Sequence, residues 1–170
     1  IHVSNNALLK VWNFLKLYEL ATPNIGLITD TICCPGMDYC ALATARSIPI
    51  SQRITEFFKD QKIQKTIGEM KIKISGCINA CGHHHVGNIG ILGLDRKGEE
   101  FYQITLGGSS TENSKIGKIV GPSFSSDEVI EAIDKIIKVY LEKRKNSSES
   151  FLQTLNYIGM KPFKKALYDN

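Results

Sequence analysis

The chain has 170 residues, of which 42% are hydrophobic and 22% charged, a balance typical of one globular domain with a substantial core. Its apolar runs, such as VWNFLKLYEL, fall short of the roughly 18 to 20 apolar residues that a membrane span requires. The net charge of +4 comes partly from the segment KIIKVYLEKRKN, whose lysines share a helical pattern with Glu142 and predict a solvated helix face. We therefore expect neither a membrane nor a nucleic acid as a partner.

The amino-terminal residues lack the charged and apolar regions of a secretory signal peptide, so we expect a soluble, cytoplasmic protein. The sequence begins with Ile1 rather than Met. We expect that the natural protein continues upstream of this residue.

The amino-terminal segment is predicted to be a helix followed by a strand. Apolar residues recur at helical spacing over residues 6–20, and Pro23 lies just beyond them, where a helix has ended. The short apolar run IGLITD, residues 25–30, predicts a buried strand that leads into the segment TICCPGMDYC.

The next segment is predicted to be helical in two parts. CALATARS, residues 40–47, has a helical composition, and Pro49 is expected to interrupt the helix. The helix is predicted to resume in ISQRITEFFKDQ, residues 50–61, with Ile54, Phe57 and Phe58 on one face.

Strands dominate the middle of the chain. KIKIS, residues 71–75, alternates as a strand does. NIGILGLD and EFYQITLG flank the tripeptide RKG, which predicts a β-hairpin with Gly98 at positive φ. The tripeptide KIV, residues 118–120, predicts a last short strand after a polar loop.

The carboxyl-terminal part is predicted to be helical again. Ser125 and Glu128 have the spacing of a capping box, which predicts the start of a helix that continues through Tyr140. A further helix is predicted in SFLQTLNYIG, and Pro162 is expected to begin a last helical turn.

The five cysteines occupy only two places in the sequence, and both follow predicted strands. Cys34 and Cys40 form a C-x5-C pair, whereas Cys77 and Cys81 form a C-x3-C pair. If the two strands are neighbours in one sheet, their loops converge and four thiolates can meet at one site. Cys33 is left over.

Three other interpretations of the cysteines are open. A structural zinc site is the first, although zinc pairs usually enclose two to four residues and C-x5-C is wider. Disulfides are the second, but the number of cysteines is odd and a chain of this size does not need them. The third is that the cysteines are small buried hydrophobes, which does not explain their clustering in two glycine-containing loops.

The residues around the cysteines suit an iron–sulfur cluster. Gly36, Gly76 and Gly82 allow the backbone to approach the sulfur atoms closely. Cys40 is predicted to begin a helix, whose positive amino-terminal end favours an anionic cluster.

The two segments CCPGMDYCALATARSIPI and GCINACGHHHVGNIGILG resemble the C-x5-C and C-x3-C signature of the sirohaem-containing sulfite and nitrite reductases. The carboxyl-terminal segment SFLQTLNYIGMKPFKKALY resembles the end of the same proteins. The resemblance implies an α+β fold, a mixed sheet of about five strands with helices packed on it. It also implies that residues 1–25 end a preceding linker or helix and that residues 26–170 form the sirohaem and 4Fe–4S domain, the carboxyl-terminal part of a longer enzyme.

The same resemblance implies the cofactor ligands: Cys34, Cys40, Cys77 and Cys81 would hold the 4Fe–4S cluster, and the Cys81 thiolate would also bridge to the sirohaem iron. Cys33 receives no role.

The implied reaction is the six-electron reduction of sulfite to sulfide, with nitrite reduction to ammonia as the alternative. A non-catalytic iron–sulfur module, without sirohaem, is a second alternative. The electron donor would be ferredoxin or an NADPH-dependent flavoprotein.

Three further residues are candidates for contact with sirohaem. Asn79 lies between the last two ligands, where the family usually has Asn, and Arg46 follows Cys40 and could meet either a sirohaem carboxylate or a protein carboxylate. His83 is the first of three consecutive histidines, whose alternative role is to shape the loop or face solvent.

Overall fold

The computed structural model describes residues 2–169, and within them the chain forms a mixed sheet of six strands with helices packed against it, which confirms the predicted α+β class. The strands, β1 to β6 in chain order, are Ile32–Cys33, Ile72–Ser75, Ile89–Arg96, Glu99–Leu106, Lys118–Ile119 and Phe124–Ser125. The helices, α1 to α6, are Leu8–Leu17, Ile48–Phe57, Gln61–Ile67, Glu128–Lys143, Phe151–Ile158 and Lys161–Tyr168.

The sheet has a parallel half and an antiparallel half. β1, β2 and β3 are parallel neighbours, and β4 then pairs antiparallel with β3, β5 and β6. In the register of the first pair, Cys33 lies opposite Ile74. Because β1 and β2 are parallel, their carboxyl ends lie at the same edge of the sheet.

The predicted hairpin forms between β3 and β4. Its turn consists of Lys97 at φ 59° and Gly98 at φ 86°, and positive φ at both central residues is the geometry that matches the twist of the two strands. The prediction of positive φ at Gly98 is confirmed.

The core lies between the sheet and helices α2 to α6. Helix α4 contributes most of the helical side, with eight buried residues along one face. It begins as predicted, since the Ser125 and Glu128 side chains each accept a hydrogen bond from the other residue's backbone N–H. At its far end the buried Tyr140 hydroxyl lies 2.8 Å from the Glu149 carbonyl oxygen, which ties the connection to α5.

Two predictions for the amino-terminal half are wrong. Residues 25–30 form turns rather than a strand, because Gly26 adopts φ 75° and its N–H donates to Asp30 Oδ2 at 2.8 Å. Residues 40–47 form turns and bends rather than a helix, because the amides of Thr44 and Ala45 donate to another loop, as described below.

Pro49 begins a helix instead of interrupting one. It lies in the first turn of α2, where a missing N–H leaves no hydrogen bond unmade. The predicted segment 50–61 divides between α2 and α3, and the Asp60 side chain caps α3 by accepting from the Lys62 N–H at 2.7 Å. Ile54 and Phe58 are buried as predicted, but Phe57 is exposed, so its prediction on the same face is wrong.

Helix α1 is shorter than the predicted 6–20 and stands apart from the core. None of its residues is buried, although it carries Trp12, Phe14 and several leucines. Among the helices of residues 2–169, none has the length and apolar character needed to cross a bilayer.

Candidate metal centre

The two cysteine loops leave the sheet side by side. Residues 34–47 follow β1 and residues 76–88 follow β2. The Cys34 N–H donates to the Ile74 carbonyl oxygen at 3.1 Å, so the ladder between the strands continues to the first cysteine. The two strands are therefore the neighbours that convergence of the cysteine loops requires.

The loops are also bonded to each other through Gly76. Its carbonyl oxygen accepts the N–H groups of Thr44 at 2.9 Å and Ala45 at 3.0 Å, while its own N–H donates to Cys34 Sγ at 3.1 Å. A single residue of the second loop thus holds both ends of the first.

Glycine is required where the loops cross. A Cβ on Gly76 would lie 2.5 Å from the Ala45 carbonyl oxygen, and one on Gly36 would lie 2.5 Å from the Ser47 nitrogen. A Cβ on Gly82 would lie 1.8 Å from the Ile74 carbonyl oxygen. These three glycines therefore allow close contacts within the first loop, between the two loops and with β2, whereas the close approach to the sulfur atoms that the sequence predicts stays a prediction.

Cys34 lies in an environment that stabilises a thiolate. Burial would raise the pKa of its thiol, but hydrogen bonding with the Ser47 hydroxyl and with the Gly76 and Gly36 amides outweighs burial and lowers that pKa. Burial raises the pKa of Cys33, and the neighbouring Cys34 adds to this effect while a hydrogen bond with Ser51 opposes it. The two adjacent thiols are therefore electrostatically distinct, and Cys34 is the better candidate ligand.

The other three cysteines of the candidate set differ in exposure. Cys77 is buried, Cys40 is half-buried and Cys81 is exposed. The sequence predicts that Cys40 begins a helix, but in the structure it follows a short 3-10 turn, Gly36–Asp38, and its N–H donates to the Gly36 carbonyl oxygen at 2.9 Å. The helix-dipole argument for Cys40 is therefore wrong.

Within residues 2–169, no three His, Cys, Asp or Glu side chains converge on the position of a single metal ion. The cysteines of an iron–sulfur cluster bind different iron atoms, so they do not need to converge in this way.

Apolar side chains surround the exposed end of the cysteine loops. Tyr39, Leu42 and Ile78 are each more than 70% exposed and lie within three residues of a cysteine. Asn79 is exposed beside Cys81. The site therefore presents an uncovered apolar surface with a polar amide at its edge.

The three histidines have separate environments. His83 is exposed in the left-handed conformation, at φ 53°, and the ring of His85 is exposed as well. His84 is 1% exposed, and its Nδ1 has no hydrogen-bond partner among the described residues. Burial, and to a lesser extent the proximity of His85, lower the pKa of His84 to about 4.

Arg46 forms ion pairs with protein carboxylates, which is one of the two roles that the sequence analysis considers for it. Its guanidinium bonds Asp38 Oδ1 at 3.1 Å and Glu100 Oε1. Burial opposes ionisation of Glu100, but the Arg46 N–H, the Tyr102 hydroxyl and the Arg46 guanidinium outweigh burial and lower the pKa of Glu100. Burial and Glu100 together raise the pKa of Tyr102. The contact of Arg46 with sirohaem stays a prediction.

Sequence reasoning missed Ser47, Glu100 and Tyr102. Ser47 bonds the Cys34 sulfur, whereas Glu100 and Tyr102 bond the backbone of Arg46 from β4. No local pattern marks these residues, because each contact joins segments that are distant in the sequence.

Comparison with known families gives one match that covers most of the chain. The model of the nitrite and sulphite reductase 4Fe-4S domain matches residues 26–170.

Curated relatives include both kinds of reductase. The chain is 31% identical over 147 residues to a putative sulfite reductase (NADPH) hemoprotein beta-component of Buchnera aphidicola subsp. Schizaphis graminum, covering 78% of this chain and 24% of the relative. It is 25% identical over 134 residues to an assimilatory ferredoxin-dependent nitrite reductase of Haloferax mediterranei, covering 76% and 23%. The chain thus spans about a quarter of the length of these relatives.

Solved structures show the same fold. The NirA protein of Mycobacterium tuberculosis superposes with a TM-score of 0.80 at 20% identity, covering 96% of this chain and 31% of that one. Dissimilatory sulfite reductase I superposes with a TM-score of 0.68 at 13% identity, covering 81% and 51%.

Proposed function

Because the chain belongs to the nitrite and sulphite reductase 4Fe-4S domain family, we propose that its two interlocked loops hold a 4Fe–4S cluster through Cys34, Cys40, Cys77 and Cys81. The observation that carries the proposal is the crossing at Gly76, whose hydrogen bonds join the two cysteine loops at one edge of the sheet. The family relatives are enzymes, and a cluster at this site would serve as the electron store of such an enzyme.

The residues of the site suit this cofactor. The Gly76 N–H and the Ser47 hydroxyl lie within bonding distance of Cys34 Sγ, and such donors stabilise anionic sulfur. Cys34 and Cys77 are buried, which shields that side of the site from water. Cys81 is exposed, and its sulfur is accessible from outside the loops.

We further propose that the exposed side of the site binds sirohaem, with the Cys81 thiolate as the bridge to its iron. The uncovered side chains of Tyr39, Leu42 and Ile78 support this proposal, because the face of a large macrocycle is apolar. Asn79 would donate to the edge of the macrocycle, and His83 and Arg46 would meet its carboxylates. Sirohaem would bind the anion, and together with the cluster it would pass on the electrons that the external donor supplies.

The proposed reaction is the six-electron reduction of sulfite to sulfide in an assimilatory enzyme in the cytoplasm. The prevalence of sulfite reductase components among the relatives favours sulfite. Nitrite reduction to ammonia is the alternative, and the Haloferax relative favours it. The electron donor would be ferredoxin or an NADPH-dependent flavoprotein; the names of two relatives give ferredoxin for one of them and NADPH for the other.

The domain organisation is part of the proposal. We propose that residues 26–170 are the cofactor domain, and that residues 1–25 end a preceding segment of a longer enzyme. The absence of buried residues in α1 supports this division, because a helix with exposed Trp12 and Phe14 contributes little to the core described here.

Replacement of the adjacent cysteines tests the ligand assignment. In protein purified without oxygen, Cys34→Ser should lose iron and sulfide, because Cys34 has the stabilised thiolate. Cys33→Ser is the matched control and should retain both. Loss of the cluster in Cys33→Ser, with retention in Cys34→Ser, would contradict the assignment.

The absorption spectrum of the anaerobically purified full-length enzyme distinguishes the reductase from a simple iron–sulfur module. Sirohaem adds strong visible bands that a cluster alone lacks, and zinc gives no colour. A spectrum with cluster absorption only would contradict the sirohaem part of the proposal and leave the cluster part intact.

A further inference from the structure

The segment that carries Cys40 has little regular structure to hold it. Residues 40–47 form turns and bends, and within residues 2–169 the hydrogen bonds that join this segment to the second cysteine loop all end on the Gly76 carbonyl oxygen. Irregular backbone of this kind opens readily unless side chains hold it. A ligand on such a segment needs a further restraint.

The structure contains such a restraint at Arg46. The Arg46 N–H donates to Glu100 Oε2 at 2.6 Å, and the Arg46 carbonyl oxygen lies 2.9 Å from the Tyr102 hydroxyl. Two side chains of β4 therefore bond both polar groups of one backbone unit in the cysteine loop. Tyr102 is 1% exposed and belongs to the core, so this anchor is rigid.

The guanidinium extends the restraint toward Cys40. Arg46 Nε bonds Asp38 Oδ1 at 3.1 Å, and Asp38 lies two residues before Cys40. The other arm of the guanidinium bonds Glu100. The two segments that flank Cys40 are therefore both tied to β4 through one arginine.

The residues on either side of Arg46 are closely packed. A Cβ on Gly93 would lie 2.5 Å from Ala45 Cβ, so the residue before Arg46 is pressed against β3. Ala45 and Ser47, on either side of Arg46, are both 0% exposed. A displacement of Arg46 would therefore move the backbone between Cys40 and α2.

We propose that Asp38, Arg46, Glu100 and Tyr102 form a clamp that positions Cys40 for cofactor binding, with Glu100 and Tyr102 as positioning residues that touch no cofactor. This inference rests on the proposed function for the identity of the cofactor. Both positioning residues lie on β4, which is separated from β1 by two strands in the sheet. The inference therefore assigns to β4 a role in holding the site.

Amide hydrogen exchange of the 170-residue chain without cofactor tests the clamp directly. Glu100→Gln, which removes the charge, and Tyr102→Phe, which removes only an oxygen atom, should accelerate exchange in residues 37–46 by about tenfold, because each weakens a hydrogen bond to a charged group or to backbone. Glu99→Gln is the matched control, since Glu99 is exposed and adjacent on the same strand. Exchange elsewhere in the sheet should not change.

Two results of this experiment would overturn the clamp. The first is wild-type exchange of residues 37–46 in both variants. The second is an acceleration spread evenly over the whole chain, which would show that Glu100 and Tyr102 support general stability only. Because Tyr102→Phe changes the packing so little, it keeps the test valid if Glu100→Gln does not fold.

A second measurement asks whether the clamp acts on the cofactor. After anaerobic reconstitution with iron and sulfide, Glu100→Gln should release iron to a chelator about tenfold faster than wild type, and the electron paramagnetic resonance of its reduced cluster should change. Both properties should be unchanged in Glu99→Gln. Wild-type iron release and resonance in Glu100→Gln would overturn the positioning role. If the wild-type chain takes up no cluster, the proposed function fails, and the exchange experiment still decides the clamp.

Discussion

Protonation of the buried His84 should destabilise the fold in mild acid. Its ring is 1% exposed, Nδ1 has no partner among the described residues, and the pKa is lowered from 6.5 to about 4. The unfolded chain therefore binds a proton at His84 at a higher pH than the folded chain does. Stability is retained above pH 6.5 and falls as the pH drops toward 4.

The size of this destabilisation follows from the difference between the pKa of His84 in the unfolded chain and its pKa in the folded chain. The free energy of unfolding should fall by about 1.4 kcal/mol at pH 5.5 and by about 2.5 kcal/mol at pH 4.5, relative to neutral pH, from His84 alone. Glu100 and Glu128 also have lowered pKa values, so their stabilising contributions are lost at the acidic end of this range. Those losses are common to wild type and to a His84 variant, and they cancel in the comparison.

Urea unfolding at several pH values measures this effect. In His84→Gln, which has no titrating ring, the free energy of unfolding should fall less between pH 6.5 and 4.5 than it does in wild type, by about 2.2 kcal/mol in total. His2→Gln, at an exposed position near the amino terminus, is the control and should keep the wild-type slope. Parallel curves for wild type and His84→Gln would refute the argument that burial keeps His84 neutral.

Three further predictions concern the site. Gly82→Ala should lower the free energy of unfolding by about 3 kcal/mol in chemical denaturation, because its Cβ would overlap the Ile74 carbonyl oxygen. Gly98→Ala, with open space around Cβ, should lower it by about 1 kcal/mol, and equal losses in the two variants would contradict the steric argument. In the full-length holoenzyme, Cys81→Ser should uncouple the haem and cluster spins, and an unchanged coupled resonance would remove Cys81 from the bridging role. The 170-residue chain alone should not turn over sulfite or nitrite with reduced methyl viologen, because we expect the cations that bind the anion to lie in the rest of the longer enzyme, and turnover comparable to that of the full-length enzyme would contradict this prediction.

The sequence predicts well those elements whose stability is local. The β3–β4 hairpin is confirmed because its turn chemistry and strand alternation agree, and α4 is confirmed because Ser125 and Glu128 cap an amphipathic run. The family is likewise predicted correctly, since two spaced cysteine pairs form a specific pattern.

The errors fall where tertiary contacts override local preference. Residues 40–47 have a helical composition, yet the amides of Thr44 and Ala45 donate to Gly76, which lies about thirty positions away in the sequence. The strand expected over residues 25–30 is likewise replaced by turns, because an apolar run of only six residues is compatible with both a strand and a series of turns. The true strand, β1, has only two residues and is stabilised by its pairing with β2.

The sequence predicts candidate ligands, whose role stays a prediction, but it does not predict the residues that hold their loops in place. Cys34 and Cys77 stand out by their spacing, whereas Glu100 and Tyr102 stand in an ordinary strand pattern. Their importance depends on which loop packs over β4, and that information is not present in any local stretch of sequence.

The central claim is that the two cysteine loops hold a 4Fe–4S cluster, and a metal count tests it most directly. The chain should be reconstituted anaerobically with iron and sulfide in the presence of equimolar zinc, desalted at once, and analysed for metals, sulfide and Mössbauer spectrum. The account predicts about four iron and four sulfide per chain with the spectrum of a single cubane cluster. One zinc per chain without sulfide, or no bound metal, would contradict it.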